Sequence, residues 1–238
     1  MKMFAPLFFC ALLLPAFAFS KKKDILMGSV VKSKIWKMDR KKGKEIFIGD
    51  VSFINDTYTL KSDYAEYWRK EKRWKLSGNV YCMRRFNDLS KLTLFASNAQ
   101  FNQQFENGVL WGEKKKTKAV YHSKEGRKIF SYSDRIEADY PKNRINFFGN
   151  FSLKSEMNYA VSDNASYDKN TEVFTMTGSR PIVRSAEQKY NFALKGNVVK
   201  YYQVSGNIAV LGNAYGWLDL KGAKIHDIKI RTTGKKLP

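Results

Sequence analysis

A short phrase that ends in glycine recurs along the chain, and it restricts the possible folds more than any other feature. Alanine, any residue and an aromatic residue open the phrase, and a glycine follows the aromatic residue after 11, 11, 9 and 11 positions. The copies run from Ala65-Glu66-Tyr67 to Gly78, Ala99-Gln100-Phe101 to Gly112, Ala138-Asp139-Tyr140 to Gly149, and Ala165-Ser166-Tyr167 to Gly178, with weaker copies ending at Gly49 and Gly206. Such a period indicates a chain built by stacking one supersecondary unit.

Each repeat has the pattern of a β-hairpin. After Tyr167 comes a polar turn, and then Phe174 and Met176 alternate with Thr175 and Thr177. The copy that is two residues shorter supports this interpretation, because a strand has a period of two and every side chain keeps its face. The glycines are expected to let a curved antiparallel sheet fold over itself.

The alternation also predicts an apolar inner face between two layers of the folded sheet. An apolar slot there would suit acyl chains, since each buried methylene contributes roughly 0.8 kcal/mol. The candidate lipid-binding residues are Trp74, Leu76, Val80, Phe147, Phe151, Phe174, Met176 and Ile182.

The net charge of +21 predicts affinity for polyanions such as phosphorylated glycan, anionic lipid or nucleic acid. Basic residues near turns or just past the glycines would form a rim around the slot. Arginine suits bidentate contact with phosphate, so Arg84, Arg85 and Arg180 are the candidate phosphate-binding residues. The alternative is a basic surface that serves only solubility.

The first 20 residues resemble a secretory signal peptide. Lys2 precedes an apolar run over residues 4–19, which is short for a membrane span, and Ala16-Phe17-Ala18 is a plausible cleavage signature. An uncleaved membrane anchor is the alternative. Only Cys82 would remain in the mature chain, so no internal disulfide is expected.

The sequence carries no pattern of catalytic residues. His122 and His226 are far apart, neither has a partner at metal-ligand spacing, and no nucleophile elbow or nucleotide-binding glycine loop occurs. We therefore expect no enzymatic activity, no cofactor and no metal.

The repeated phrases resemble the OstA-like (LptA) lipopolysaccharide-transport family over about residues 45 to 215. Three copies of the phrase carry the resemblance, each made of a segment around Ala-x-Tyr and a later segment around glycine. They are residues 63–67 and Leu76-Ser-Gly-Asn-Val80, residues 136–140 and Phe148-Gly-Asn-Phe151, and residues 164–168 and Met176-Thr-Gly-Ser-Arg-Pro-Ile-Val183. It implies an all-β fold, an open-ended twisted antiparallel β-roll (β-jellyroll or β-taco) made of hairpins. The expected organisation is a signal peptide (1–20), a basic segment with the first strand (21–44), the roll (45–216) and a basic C-terminal segment (217–238).

The resemblance further implies a periplasmic protein that shuttles or bridges lipopolysaccharide from the inner to the outer membrane. Its partners would be the lipid A part of lipopolysaccharide and like-folded rolls at both membranes, joined by strand-edge pairing, with head-to-tail homo-oligomers and no nucleic acid. A membrane-anchored LptC-like subunit of the same system is one alternative. A basic β-repeat protein that binds nucleic acid, or a structural envelope protein, is the alternative of another class.

Overall fold

A computed structural model describes residues 30–103, 106–179, 181–186 and 190–220. The predicted signal peptide, Arg180 and the basic segment after residue 220 lie outside the described residues. The strands are β1 Val30–Lys32, β2 Ile35–Asp39, β3 Lys44–Ile54, β4 Tyr58–Trp68, β5 Arg73–Arg85, β6 Lys91–Asn102, β7 Asn107–Trp111, β8 Thr117–His122, β9 Lys128–Ser133, β10 Arg135–Asp139, β11 Arg144–Lys154, β12 Asn158–Asp168, β13 Val173–Thr177, β14 Ile182–Ala186, β15 Tyr190–Lys195, β16 Val198–Tyr202, β17 Ile208–Leu211 and β18 Tyr215–Leu220.

All the strands belong to one antiparallel sheet, which confirms the predicted open-ended roll of hairpins. The described part of the chain contains no helix with the length and hydropathy that crossing a bilayer requires. The longest strands change partners halfway along their length. β11, for example, pairs with β10 through its first half and with β9 through its second half.

This change of partners divides the sheet into two layers. Layer A contains β2, β7, β10, β13, β16 and β17, with the first halves of β3, β5 and β11 and the second halves of β4, β6 and β12. Layer B contains β1, β8, β9, β14, β15 and β18 with the other halves of the long strands. The layers meet along one long edge, the corner, where the long strands pass from one layer to the other.

Glycine followed by a small polar residue forms the corner. The register shifts at Gly49-Asp50, Gly78-Asn79 and Gly149-Asn150, as in a β-bulge. Both residues of the Gly149-Asn150 pair have a positive φ, 73° and 49°, and glycine and asparagine tolerate this left-handed backbone best. The repeated glycines therefore bend the strands, as the sequence predicts.

Three repeat glycines differ from this pattern, and the first is Gly178, which lies in the link from β13 to β14 and not in a bulge within one strand. Gly206 was expected to end the last copy, but it lies in the turn between β16 and β17. Gly212 takes the corner position instead, with a φ of 67° and its added Cβ directed at the Asn197 side chain. At Gly112 the bulge is replaced by a loop, residues 112–116, that carries the chain from β7 in layer A to β8 in layer B.

The core fills the space between the layers. The repeat alanines face inward, and each lies between larger side chains on the neighbouring strands. Ala165, for example, pairs with Phe147 on one side and Met176 on the other, and it is 5% exposed. A small residue at this position leaves room for the aromatic side chains of the opposite layer, which explains why alanine recurs in the phrase.

Candidate functional site

The interior of the roll brings together most of the predicted lipid-binding residues. The buried members are Trp74, Leu76, Val80, Phe147, Phe151, Phe174 and Met176. Contacts between the layers join them into one apolar lining, as where Phe53 of layer B meets the Trp74 ring edge-on at 4.4 Å. Ile182 lies apart from this set, because the inward position of β14 belongs to its neighbour Val183, which is 1% exposed.

The predicted phosphate-binding arginines do not form one cluster. Arg84 follows Val80 and Cys82 at inward positions of β5, so its side chain enters the roll, whereas Arg85 faces outward. The Arg84 guanidinium lies over three aromatic rings, those of Tyr58, Phe86 and Tyr140, with centroid distances of 5.8, 4.8 and 5.3 Å. Its Nε is buried with no hydrogen-bond partner among the described residues, and no described carboxylate pairs with it. Arg84 is therefore an inward cation that can accept an anionic partner.

Opposite the corner, the turns of the two layers form a second long edge, the free edge. One ion-pair cluster, the clasp, crosses it: Lys169 Nζ of layer A lies 2.9 Å from Asp88 Oδ2 of layer B and 2.5 Å from Glu172 Oε1. The Lys169 side chain is only 13% exposed, and it also lies over the Phe86 and Tyr121 rings. The clasp closes the roll by side-chain contacts alone.

The clasp shifts the pKa of its charged groups. Hydrogen bonds from Ser90, and then from Lys169, lower the pKa of Asp88 to about 2 although partial burial opposes the shift. Burial would lower the pKa of Lys169, but hydrogen bonds to Glu172 and Asp88 outweigh it and raise the pKa. Both groups are thus held in their charged forms around neutral pH.

Two further contacts cross the free edge on either side of the clasp. Toward the N-terminal end, the Tyr58 and Tyr140 rings meet edge-on at 5.8 Å. Toward the C-terminal end, Arg127 donates from Nη1 to the backbone oxygens of Gln203 and Val204 at 3.1 and 3.4 Å. The sequence predicted none of these contacts, because the partners lie far apart along the chain. Asp88 and Lys169, for example, are separated by 81 residues.

The interior is closely packed at its centre and open at its C-terminal end. Behind the clasp, Arg84, Tyr121 and Lys169 line a cavity of only about 20 Å³. At the C-terminal end the layers part around a cavity of about 490 Å³, with apolar lining from Ile129, Met157 and Ile208 and a basic rim at Arg127 and Lys128. The apolar lining therefore reaches solvent at this end of the roll.

Nothing in the described interior resembles reactive chemistry. Burial raises the pKa of the Cys82 thiol, which keeps it protonated. No group of three or more His, Cys, Asp or Glu side chains within the described ranges could hold a metal ion.

Comparison with known families decides the class of protein to which this roll belongs. The family model of the LptA/LptD N-terminal domain, described as a lipopolysaccharide-transport protein, matches residues 30–207. The chain belongs to this family. No curated protein matches it. Among solved structures, LptH of Pseudomonas aeruginosa, described as the LptA-homologous periplasmic component of the lipopolysaccharide transport device, shares 13% identity. That match covers 63% of this chain and 82% of LptH, with a TM-score of 0.31.

As a member of this family, the chain is a lipopolysaccharide-transport protein, and its two ends have a feature relevant to transport. At the N-terminal end, β1 and β2 have no second partner strand among the described residues, and Val30 and Trp36 are 60% and 59% exposed there. At the C-terminal end, β18 leaves another such edge, with Tyr215 and Trp217 exposed by 62% and 55%. Both ends of the described roll thus offer backbone groups to which another strand could add.

Proposed function

We propose that this protein carries lipopolysaccharide across the periplasm from the inner to the outer membrane, as a shuttle or as part of a bridge. The acyl chains would lie between the layers, and the phosphates would lie at the free edge. One observation carries the proposal: two apolar inner faces are covalently joined at the corner, whereas at the free edge no strand ladder among the described residues joins them and every contact involves a side chain.

Lipid would reach the interior by opening of the free edge. Opening the clasp would expose the lining from Trp74 to Met176 without breaking a strand pair, because no ladder hydrogen bond crosses the free edge within the described residues. The cavity at the C-terminal end, with its mixed polar and apolar lining, would provide a second opening, through which chains could pass on to the next subunit.

Photo-crosslinking tests the position of the acyl chains. A photoreactive residue at Phe147 or Met176 should crosslink to lipopolysaccharide in cells, since both side chains face the interior. The same residue at Asn146 or Thr175, one position away and on the outer face, is the matched control. Equal crosslinking at inner and outer positions would overturn the proposal.

The phosphate site is assigned to Arg84 with Lys169 beside it. A charge-assisted hydrogen bond contributes about 1.5–3 kcal/mol, so Arg84→Gln should weaken binding of lipopolysaccharide by roughly 10- to 100-fold. Binding of the enzymatically dephosphorylated lipid should change far less. Arg85→Gln is the control, because it removes the same charge from the outer face. A similar loss from both variants, or for both lipids, would remove Arg84 from the site.

The two free ends would join subunits or like-folded partners at the membranes. Addition of a strand at a sheet edge is head-to-tail when the two edges differ, and it need not terminate. The outer side of β17 likewise has no partner among the described strands, so Val210→Pro, which removes a donor there, should abolish concentration-dependent association in light scattering. N-terminal sequencing of the exported chain separates a soluble carrier from an anchored subunit, because a retained Met1 would favour the anchored form.

A further inference from the structure

The outer face of layer B carries an unusual distribution of charge. Its outward strand positions contain cations on almost every strand: Lys32, Lys61, Arg85, Lys91, Lys118, Lys128, Lys154, Arg184 and Lys195. Across the described outward positions that pair within layer B, the only carboxylate is Asp219, in β18, while the exposed Asp63 of β4 and Asp163 of β12 border this surface at the corner. We refer to this surface as the basic face. The other described carboxylates of layer B, such as Glu125 and Glu156, lie in turns at its rim.

Aromatic rings alternate with the cations across the basic face. Neighbouring strands place Lys61 beside Tyr81, Tyr81 beside Phe95, and Phe95 beside Lys118 in one continuous row. The Lys118 ammonium lies over the Phe95 ring at 5.7 Å, and over the Phe130 and Tyr132 rings at 5.2 and 5.9 Å. The row thus presents lysine charges on an aromatic surface.

The row continues beyond these strands to the C-terminal end of the roll. Lys195 Nζ lies 5.3 Å from the centre of the Tyr215 ring. On the same face, Tyr159 and Trp217 are 46% and 55% exposed. Exposed aromatic side chains therefore occur along the whole face and not only beneath the lysines.

The outer face of layer A shows that this distribution is not a general result of the high net charge. There, cations lie beside carboxylates on the same face: Lys44 pairs with Glu66 at 2.5 Å, and Arg144 pairs with Asp168 at 3.2 Å. None of the nine cations of the basic face forms an ion pair within the described residues. Cations and carboxylates therefore mix on the outer face of layer A, whereas the cations of the basic face are almost uncompensated.

We propose that the basic face docks the roll onto the surface of a bilayer that contains anionic phospholipid. Lysine and arginine near such a surface gain electrostatic energy, and tyrosine and tryptophan favour the interface between headgroups and acyl chains. A face with nine cations, a single carboxylate at Asp219 and exposed aromatic side chains fits this partner in both charge and polarity. Arg127, Lys128 and Lys154 also surround a shallow depression, with Glu156 at its rim, where a headgroup phosphate can lie.

The environment of His122 agrees with the uncompensated charge. Burial, together with the nearby Lys128 and Lys91 charges, lowers the pKa of this imidazole. The neighbouring groups on the adjoining strands are thus cations, with no carboxylate among the causes of the shift. The inference does not depend on where lipopolysaccharide binds, since it concerns the outer surface and not the interior.

Vesicle binding by the purified exported protein tests the proposal. The partition coefficient is measured with vesicles of equal parts phosphatidylglycerol and phosphatidylcholine, and with phosphatidylcholine alone. The triple variant Lys91→Gln, Lys128→Gln, Lys154→Gln removes three exposed charges from the basic face. Among the described residues, none of these lysines forms a cation–π contact or an ion pair. The control Lys37→Gln, Lys75→Gln, Lys200→Gln removes three charges from the outer face of layer A. All variants keep the same termini, so the contributions of residues 1–29 and 221–238 cancel.

The wild-type protein should bind the anionic vesicles more tightly than the neutral ones. The basic-face variant should lose on the order of 100-fold in partition, and the control only a few-fold, because each lysine at an anionic surface contributes roughly fivefold. Thermal unfolding of both variants confirms that they are folded.

Three results would overturn the proposal. The first is a similar loss from both triple variants, which would indicate attraction by net charge alone. The second is a wild-type protein that does not distinguish anionic from neutral vesicles. The third is tight binding of a single-stranded oligonucleotide through the same three lysines without vesicle binding, which would assign the face to nucleic acid.

Discussion

The two long edges of the roll join the same two layers in opposite ways. At the corner the backbone itself passes between the layers, and the bend is built into left-handed residues such as Gly149 and Asn150. At the free edge no strand ladder joins the layers within the described residues, and the contacts are made by side chains such as Lys169, which lies between Asp88 and Glu172. The corner can therefore act as a hinge, while the free edge can open and close.

The polar contacts at the two edges have different consequences. At the corner, Asn79 of β5 donates to Asp63 of β4, and Asn150 of β11 donates to Asp134 in the bend between β9 and β10, both at 2.8 Å. These bonds reinforce a bend that the strand ladder already holds. At the free edge the clasp joins residues that no ladder connects, so its loss changes the separation of the layers. Four predictions test this difference, beginning with the largest effect.

Gly149→Ala should destabilise the protein by about 3 kcal/mol. The φ of 73° costs a non-glycine residue about 1–2 kcal/mol, and the added Cβ would overlap the Asp134 carboxylate. Gly126→Ala is the control: its φ is 85°, but its added Cβ meets no atom within 4 Å, so only the backbone cost of about 1 kcal/mol is expected. Urea unfolding measures both. Equal losses would show that the corner is not tightly packed.

Lys169→Met should destabilise the protein by about 1–2 kcal/mol, between the values for exposed and buried ion pairs. It should also speed the binding of a hydrophobic dye to the interior, because the free edge opens more often. Lys142→Met is the matched control, since Lys142 pairs with Asp139 three residues away but is 70% exposed and joins no layers. Stopped-flow fluorescence would contradict the gating role if both variants bound dye at the wild-type rate.

Asn150→Ala should cost about 1 kcal/mol, because it places alanine at a φ of 49° and removes the donor to Asp134. Asn150→Gly restores the backbone freedom but not the donor, so it should cost only a few tenths of a kcal/mol. Thermal or urea unfolding of the two variants separates the backbone from the hydrogen bond. If glycine proved as costly as alanine, the hydrogen bond would be the main contribution.

Of the four changes, lowering the pH should reduce the free energy of unfolding the least. The pKa of Asp88 falls from its ordinary 3.8 to about 2 on folding, so its contribution is complete above 3.8 and is lost as the pH falls through about 2. Because the Asp88 side chain is 41% exposed, salt should screen much of this contribution. The difference in unfolding free energy between wild type and Asp88→Asn should shrink across that range. A constant difference would rule out this linkage.

Periodicity predicted the inner faces correctly because a strand places alternate side chains on one face. Phe147, Phe151, Phe174 and Met176 are buried as their alternation indicates. The same rule could also have separated Arg84 from Arg85, since Arg84 shares the parity of Val80 and Cys82. Arg84 and Arg85 are adjacent in the sequence, but adjacent residues of a strand face opposite sides, so the two side chains cannot share one phosphate site.

Gly206 shows where local patterns become ambiguous. Gly206-Asn207 and Gly212-Asn213 carry the same dipeptide, and only the second lies at the corner. A glycine followed by asparagine suits both a turn and a bulge, since each needs a left-handed backbone. The pairing of β16 with β17 decides between them, and that pairing is a property of the sheet.

The sequence by itself determined the hairpin repeat and the inward side chains, because both depend on residues within about one repeat. It also indicated the family, because the repeated phrases are themselves the family's pattern. The tertiary structure decided the clasp, the basic face and the inward position of Arg84, which pairs with no carboxylate among the described residues. Lys169 meets Asp88 across 81 residues only because the corner folds layer A over layer B. Likewise, the lysines of the basic face are scattered along the chain and become one surface only when neighbouring strands align their outward positions.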